Sequence, residues 1–352
     1  MNVFGNNIKF SIFGESHGVA IGGIIDGIKP GTKLDFEKID QMMKKRNHRA
    51  VYSTQRAEAD KYEILSGVVD GVATGAPLAF EIRNADTKSG HYSELASVMR
   101  PSHADYGAYV KFKGFADYRG GGHFSGRITA PLTFAGAIFK NELEKKGIFV
   151  YPHILSIGNI RDKSFLEDDG ASIGDLGFFP VTSEKIKDEM LSYIESVRAD
   201  KNSCGGIVEV AVCGVDAGFG NPFFGSVESE ISKMMFSIPA VKGIEFGRGF
   251  DITRLTGFEA NDNYYYDENK NVRVKKNNNG GIVGGITNGA PIIFRVAVKP
   301  TPSIFKTQDT INVKTKENTA LTLEGRHDSC IVPRAAAAIE AATAMVIYDI
   351  IS

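Results

Sequence analysis

The chain has 352 residues, a formal net charge of −1, 42% hydrophobic residues and 24% charged residues. This composition is typical of a soluble globular protein with a substantial core, and the near-zero charge disfavours binding to nucleic acid or membranes. Three cysteines without a Cys-x-x-Cys pair indicate neither a disulfide framework nor a metal site, and the absence of a signal-peptide pattern and of a membrane-length apolar run predicts a cytoplasmic protein.

Apolar periodicity and turn residues predict helices and strands along the whole chain. The predicted helices are Asp35–Lys45, Ala130–Lys146, Ser183–Ala199, Val227–Phe236 and Arg334–Ile351. The predicted strands are Ile8–Phe13, Ile21–Ile25, Glu63–Val69, Leu78–Arg83, Ile207–Gly214 and Ile292–Val298. Because strands outnumber what a regular β–α–β alternation would give, an α+β fold is predicted.

One stretch of the chain occurs twice. Residues 67–82 align without gaps on residues 281–296, and seven of the sixteen positions are identical. Both copies have the pattern strand, glycine-rich turn, strand, and each is followed by a Gly-Arg pair before a helix, at Gly126-Arg127 and Gly325-Arg326. Chance similarity of glycine-rich hairpins is the alternative. We predict an internal duplication within a single large domain of residues 1–352, in which an approximate twofold axis relates the two hairpins.

The polar cluster Phe13–Gly18 lies between two apolar runs. Its glycines allow tight turns and close approach of a ligand, while Glu15, Ser16 and His17 supply a carboxylate, a hydroxyl and an imidazole. Imidazole has the unperturbed pKa that suits proton transfer near neutrality. A polar turn without chemistry is the alternative. Three further motifs with the same residue types favour a functional site: Arg100–Tyr106, Tyr118–Arg127 and Gly325–Arg334.

With these motifs in this order, the chain resembles the chorismate synthase family over nearly its whole length. Three more segments carry the resemblance: Ser66–Val68, Ser237–Gly243 and Lys299–Ser303. It implies antiparallel β-sheets sandwiched with surrounding helices, and a lyase of the shikimate pathway that serves aromatic amino acid biosynthesis. The implied reaction is the 1,4-elimination of phosphate from 5-enolpyruvylshikimate 3-phosphate to chorismate. The resemblance also implies reduced FMN without net redox change, NADPH as reductant, and a homotetramer.

The resemblance assigns roles to the catalytic candidates. His17 matches the acid that protonates the departing phosphate, and His103 matches the histidine that keeps a proton on the reduced flavin. Asp328 matches the residue that assists loss of the C6 hydrogen. Ser16 and Ser125 match hydroxyls that relay or orient protons. For each residue, a structural hydrogen bond is the alternative.

The resemblance also assigns binding residues. Flavin contacts carry over onto His123, Phe124, Ser125, Pro239, Ala240, Gly284, Lys299, Pro300, Thr301, Pro302, Ser303 and Arg326. The NADP or substrate contacts are basic residues, because such groups pair with phosphate and carboxylate. They are Lys45, Arg46, His48, Arg49, Arg56, Arg119, Arg127 and Arg334. For the stretch that begins at Lys44, a solvated helix end is the alternative.

The chain departs from the family pattern in two places. His123-Phe124 and Ile128 stand where Arg-Ser and Glu are usual, and Lys45–His48 replaces a usual Arg-Arg-Arg-Pro-Gly. Two other functions remain open. A flavin-independent phosphatase or lyase would use the same His, Asp and Arg set, and a nucleic-acid binder would use the basic stretch 44–56, although no aromatics interleave it. No catalytic role is assigned to His48, His91, His153 and His327.

Overall fold

The structure is a computed structural model that describes residues 2–47, 60–84, 97–168, 170–323 and 328–352. These residues group into two units. Unit 1 comprises Met1–Ala135, Leu191–Cys204 and Pro300–Ile331, and unit 2 comprises Gly136–Met190, Gly205–Lys299 and Val332–Ser352. The single-domain organisation of residues 1–352 stays a prediction.

Strands and helices alternate irregularly along the chain, as an α+β fold requires. The strands are β1 (Val3–Phe4), β2 (Lys9–Gly14), β3 (Ala20–Asp26), β4 (Tyr62–Ile64), β5 (Val68–Val69), β6 (Val72–Ala73), β7 (Leu78–Arg83), β8 (Phe149–Ile157), β9 (Ile160–Arg161), β10 (Gly206–Cys213), β11 (Val241–Phe246), β12 (Tyr264–Tyr266), β13 (Val272–Val274), β14 (Ile282–Val283), β15 (Ile286–Thr287), β16 (Ile292–Val298), β17 (Gln308–Asn312) and β18 (Glu317–Leu321). The helices are α1 (Phe36–Arg46), α2 (Asp105–Lys111), α3 (Thr129–Glu144), α4 (Glu184–Ala199), α5 (Val227–Met235), α6 (Gly257–Ala260) and α7 (Val332–Ile351). The five predicted helices are confirmed, with ends within two residues of the prediction. Within the described ranges, no helix is long and apolar enough to cross a bilayer.

Unit 1 is built on a five-stranded antiparallel sheet with the strand order β1-β2-β3-β7-β4. Ile21 and Ile25 on β3 and Phe80 on β7 are fully buried on this sheet. The Phe80 ring lies 4.1 Å from the Phe134 ring of α3, centroid to centroid. Asp35 caps the start of helix α1: its carboxylate accepts a hydrogen bond from the backbone N–H of Lys38 and so stabilises the first turn.

Unit 2 has a second five-stranded antiparallel sheet with the order β11-β16-β10-β8-β9. On β16, the period-two residues Ile292, Phe294, Val296 and Val298 are buried as predicted. The alanine-rich helix α7 packs against β8, β10 and α5 and is buried over nearly its whole length. Antiparallel sheets covered by helices confirm the predicted α+β class.

The repeated segments have the same local fold. Val68 pairs with Ala73 in the first copy, and the equivalent Ile282 pairs with Thr287 in the second. Gly67 and Gly281 have φ of 81° and 79°, a left-handed conformation that a residue with a β-carbon adopts only at a cost. Both hairpins end in a strand at the same position of their sheet, β7 and β16.

The similarity extends beyond the hairpins. In sheet order, β2-β3-β7-β4 of unit 1 corresponds to β8-β10-β16-β11 of unit 2, and every neighbouring pair is antiparallel in both. A helix follows the second strand in each set, α1 after β3 and α5 after β10. The chain therefore contains the same strand topology twice. The twofold axis between the copies stays a prediction.

One predicted strand is wrong in its extent. The segment Glu63–Val69 forms two short strands, β4 and β5, rather than one. The break lies at Gly67, where a β-carbon would be 2.6–2.8 Å from backbone atoms of Pro77 and Leu78. The close approach of these two backbones turns the chain. It also explains why glycine occupies this position in both copies.

A buried polar network holds the segment 162–182 to the unit 2 sheet. His153 of β8 is fully buried between two carboxylates, with Nδ1 3.1 Å from Glu209 and Nε2 3.1 Å from Asp162. Ser164 Oγ donates to Glu209 (2.5 Å), and the backbone N–H of Thr182 donates to Asp162 (2.6 Å). Burial alone would lower the pKa of His153, but its bonds to Asp162 and Glu209 outweigh burial and raise it.

This network predicts a pH dependence of stability. Because the pKa of His153 is raised in the folded protein, its contribution is complete below its ordinary value of 6.5 and is lost as pH rises through the folded value. Burial would raise the pKa of Asp162, but its hydrogen bonds lower it from 3.8 to about 2. The stabilisation that ionised Asp162 provides is therefore lost only in strong acid. His153→Gln should cost about 3–5 kcal/mol at pH 6, because it leaves buried carboxylates without a cation.

Urea unfolding at pH 6 and pH 9 measures this effect. The free energy of unfolding of the wild type should be lower at pH 9 than at pH 6. This decrease should be smaller in His153→Gln. Glu167→Gln is the control, since it removes a partly exposed ion pair with Arg161 that is worth at most about 1 kcal/mol. An identical pH dependence in wild type and His153→Gln would contradict the prediction.

Candidate active site

The hairpin between β2 and β3 presents Ser16 and His17. Both side chains are buried, and His17 retains 8% exposure. Ser16 Oγ lies 3.1 Å from His17 Nδ1 and 3.4 Å from the carbonyl oxygen of Arg119. A serine hydroxyl has one hydrogen, so if Ser16 donates to Arg119, Nδ1 of His17 must be the donor to Ser16.

A glycine loop packs directly on this pair. The Ser16 backbone N–H donates to the Gly122 carbonyl (3.0 Å), which joins the loop to the hairpin. Gly120 has a φ of 65°, and a β-carbon at this position would overlap the His17 ring. The absence of a side chain at Gly120 therefore makes room for the imidazole. The sequence singled out the motif Tyr118–Arg127 but did not predict this contact.

Arg119 lies in the same loop and is fixed by Asp117. Its Nε and Nη2 donate to the two carboxylate oxygens of Asp117 at 2.9 and 2.8 Å. The hydrogen bonds from Arg119 hold the pKa of Asp117 below its ordinary value, and the charge of His17 acts in the same direction. The Arg119 side chain is 42% exposed, so an anion can approach it. Sequence reasoning singled out Arg119 but missed Asp117, which lacks a motif of its own.

His103 lies in a turn just before α2. Ser102 has a left-handed φ of 57°, and the backbone N–H of His103 donates to the Arg100 carbonyl at 3.3 Å. The His103 Nε2 atom is 2.9 Å from Ser303 Oγ. The structure thus brings a predicted catalytic residue into contact with a predicted flavin residue from 200 positions further along the chain.

Comparison with known proteins identifies the family. A family model described as chorismate synthase matches residues 8–351. The chain is 43% identical over 349 residues to chorismate synthase of Korarchaeum cryptofilum (strain OPF8), with 99% of this chain and 96% of that protein covered. It is 40% identical over 349 residues to that of Thermococcus kodakarensis (strain ATCC BAA-918 / JCM 12380 / KOD1), with 98% and 96% covered. A solved structure titled "Crystal Structure of Chorismate Synthase" matches with a TM-score of 0.77 and 29% identity, over 99% of this chain and 92% of the other.

The chain belongs to the chorismate synthase family. It is therefore an enzyme, a lyase of the shikimate pathway that eliminates phosphate from 5-enolpyruvylshikimate 3-phosphate and forms chorismate. Membership of this family implies a flavin cofactor and a small-molecule substrate.

The departures from the family pattern have defined places in unit 1. His123 Nδ1 lies 2.7 Å from the Gly14 carbonyl, to which it donates, so this histidine ties the glycine loop to β2. Phe124 is half-exposed next to Phe112, with ring centroids 6.3 Å apart. Ser125 caps a short helical turn by accepting from the backbone N–H of Arg127. Ile128 is buried, where its apolar side chain needs no partner.

Two of the basic candidates form a buried cluster rather than an open anion site. Arg46 donates to Asp60 at 2.7 Å and to Thr129 at 3.0 Å, and its side chain is 3% exposed. Arg127 donates to the other carboxylate oxygen of Asp60 and to Asn84. This cluster corrects the alternative of a solvated helix end at Arg46. It also gives both arginines a structural partner that sequence reasoning did not identify.

The remaining candidates are placed individually. In unit 2, the Lys299 backbone N–H donates to the Ala240 carbonyl at 3.0 Å, which brings two predicted flavin residues together. Gly284 is exposed with a φ of 63°, and no atom lies within 4 Å of where its β-carbon would be. The predicted site residues that are exposed or partly buried are Lys45, Pro239, Pro300, Thr301, Pro302, Asp328 and Arg334. The predicted site residues that lie outside the described part of the chain are His48, Arg49, Arg56 and Arg326. Within the described residues, no cluster of His, Cys, Asp or Glu could hold a metal ion.

Proposed function

We propose that His17 protonates the phosphate that leaves C3 of the substrate, and that Arg119 pairs with that phosphate. The close approach of Gly120 to the His17 ring carries this proposal, because it fixes the imidazole against the loop that carries the exposed Arg119 side chain. A fixed acid avoids the entropic cost of orientation in the transition state. Ser16 would hold Nδ1 and so orient the ring. His17 would act as the imidazolium, which the nearby substrate anion favours, and would give its Nε2 proton to the phosphate. Ser125 is proposed to orient protons in the same loop.

We propose that His103 and Ser303 contact reduced FMN, and that His103 maintains its protonation. The donor set fits a flavin, because an imidazole next to a hydroxyl can exchange hydrogen bonds with the polar edge of the ring. Reduced FMN, when bound, supplies electron density for cleavage of the C3–O bond without net redox change. Asp328 is proposed to assist loss of the C6 hydrogen. Lys299, Gly284 and the other flavin candidates named from the family remain predicted contacts.

An anaerobic assay for chorismate tests the cofactor proposal. Full turnover is expected with chemically reduced FMN and substrate, without stoichiometric consumption of the flavin. Oxidised FMN alone should give none. NADPH is proposed as the reductant, so FMN plus NADPH should restore turnover only if the protein reduces flavin itself. Full-rate chorismate formation without any reductant would contradict the proposal and favour the flavin-independent alternative.

We propose a cytoplasmic homotetramer that acts as a carbon–oxygen lyase on phosphates. Large exposed aromatic rings of unit 2 support self-association, because neighbouring exposed apolar side chains are typical of a protein–protein interface. These rings are Phe223, Phe224, Phe250 and Phe258, with exposures of 82–95%. The Phe223 and Phe224 rings are such neighbours, with centroids 6.4 Å apart. The burial of Arg46 against Asp60 gives no support to nucleic-acid binding.

Light scattering at micromolar concentration should give the mass of four chains. Replacing Phe224 and Phe258 by serine should lower that mass, because apolar contacts drive association. Tyr106→Ser in unit 1 serves as a control for loss of an exposed ring. A monomeric wild-type protein would contradict the proposal.

A further inference from the structure

Arg100 is a buried arginine to which no function has yet been assigned. Its side chain is 7% exposed. Nε and Nη2 donate to the two carboxylate oxygens of Asp105, both at 2.7 Å, and the backbone N–H of Arg100 donates to the same carboxylate at 3.1 Å. This bidentate pair closes the turn that carries His103, which lies between the two residues.

The third nitrogen of the same guanidinium reaches the loop that packs on the other histidine, His17. Nη1 of Arg100 donates to the Gly120 carbonyl at 2.6 Å. Gly120 is the residue whose missing side chain accommodates the His17 ring. One planar group therefore connects the turn of His103 to the loop that packs on His17.

We infer that Arg100 is a positioning residue that fixes the Gly120 carbonyl and, through it, the His17 imidazole. Since the side chain is buried and each of its nitrogens already donates to a protein oxygen, Arg100 contacts its neighbours rather than the substrate. The planar fork is essential, because three nitrogens must donate in fixed directions. Lysine has one nitrogen and cannot hold Asp105 and Gly120 in this geometry. The inference rests on the proposed role of His17.

Arg100→Lys is the direct test. It should lower kcat about tenfold or more, because small displacements of a catalytic group are costly, while KM for the substrate changes less than about threefold. Arg161→Lys is the matched control, since Arg161 forms a similar bidentate pair with Glu167 in unit 2. The control should have wild-type kinetics. Equal kcat in Arg100→Lys and wild type would overturn the inference.

A double-mutant cycle distinguishes positioning of His17 from an independent role. If Arg100 acts through His17, Arg100→Lys should change kcat by no more than about twofold in a His17→Ala background. If the kcat losses of Arg100→Lys and His17→Ala instead multiply in the double variant, the inference is overturned. Gly120→Ala should reproduce the kcat loss of Arg100→Lys, because it displaces the same ring directly. Gly107→Ala, at a glycine with open space around it, should be neutral.

A second measurement does not depend on activity. Diethyl pyrocarbonate labelling with peptide mapping reports how accessible each imidazole is. In Arg100→Lys, labelling of His17 should be about threefold faster or more, while the buried His153 stays unlabelled. An unchanged labelling rate at His17 would overturn the inference. This holds even if Arg100→Lys has a lowered melting temperature. If the rate changes but His17→Ala keeps its turnover, the positioning claim holds and the catalytic role of His17 fails.

Discussion

Replacing His17 by alanine should slow chorismate formation by about 10²–10⁴-fold, the range over which general acids contribute. The loss should be in kcat, with little effect on the affinity for reduced FMN, because His17 is proposed to serve the phosphate. The imidazole is held by Ser16 and by the Gly120 backbone, so the vacated volume has rigid walls. Single-turnover kinetics with saturating reduced FMN measure the chemical step.

Ser16→Ala provides a graded comparison for this result. It removes the hydroxyl beside Nδ1 but leaves the imidazole under Gly120, so its loss of turnover should be smaller than that of His17→Ala. Thermal unfolding of both variants should remain close to wild type. Near-native turnover in His17→Ala would mean that the imidazole has a structural role only.

Replacing His103 by alanine should also lower turnover by about 10²-fold or more. Unlike His17→Ala, it should change the absorption spectrum of bound reduced FMN, because His103 is proposed to keep a proton on the flavin. Its contact with Ser303 at 2.9 Å places the imidazole beside a second residue named for the flavin. The spectrum is recorded anaerobically over a pH series, with and without substrate.

Ser303→Ala distinguishes a residue that only contacts FMN from one that maintains the protonation of the flavin. It should weaken FMN binding modestly and leave the spectral pH dependence near that of wild type, since the imidazole is retained. If His103→Ala leaves both the spectrum and the turnover unchanged, the proposed role of His103 is wrong.

Much of the fold could be predicted because its elements have strong periodicity. The helix α7 and the strand β16 have uninterrupted apolar patterns, and both lie where the sequence indicated. Strand β8 was missed because Pro152 and His153 interrupt its apolar pattern. Proline disfavours a central strand, and the pairing of β8 with β10 is a long-range contact that local sequence does not reveal.

The candidate site could be predicted in its residue types but not in its contacts. His17, His103 and Arg119 lie in recognisable motifs, so the sequence indicated them directly. The partner of Arg46 is Asp60, which has no motif, and the bond from Arg100 to Gly120 joins two separate motifs. Such contacts depend on how loops pack in three dimensions, and sequence spacing does not encode that packing.

The repeated topology has a consequence for how the two halves diverged. The β2–β3 connection consists of residues 15–19 and contains Ser16 and His17, whereas its counterpart between β8 and β10 is expanded to residues 158–205 and contains helix α4. If the predicted internal duplication took place, the two connections were identical in the ancestral single copy. After fusion, one could remain short and acquire proton-transfer chemistry, while the other grew into a segment that Asp162 and Ser164 hold to the sheet. Selection could then act on activity in one copy and on stability in the other.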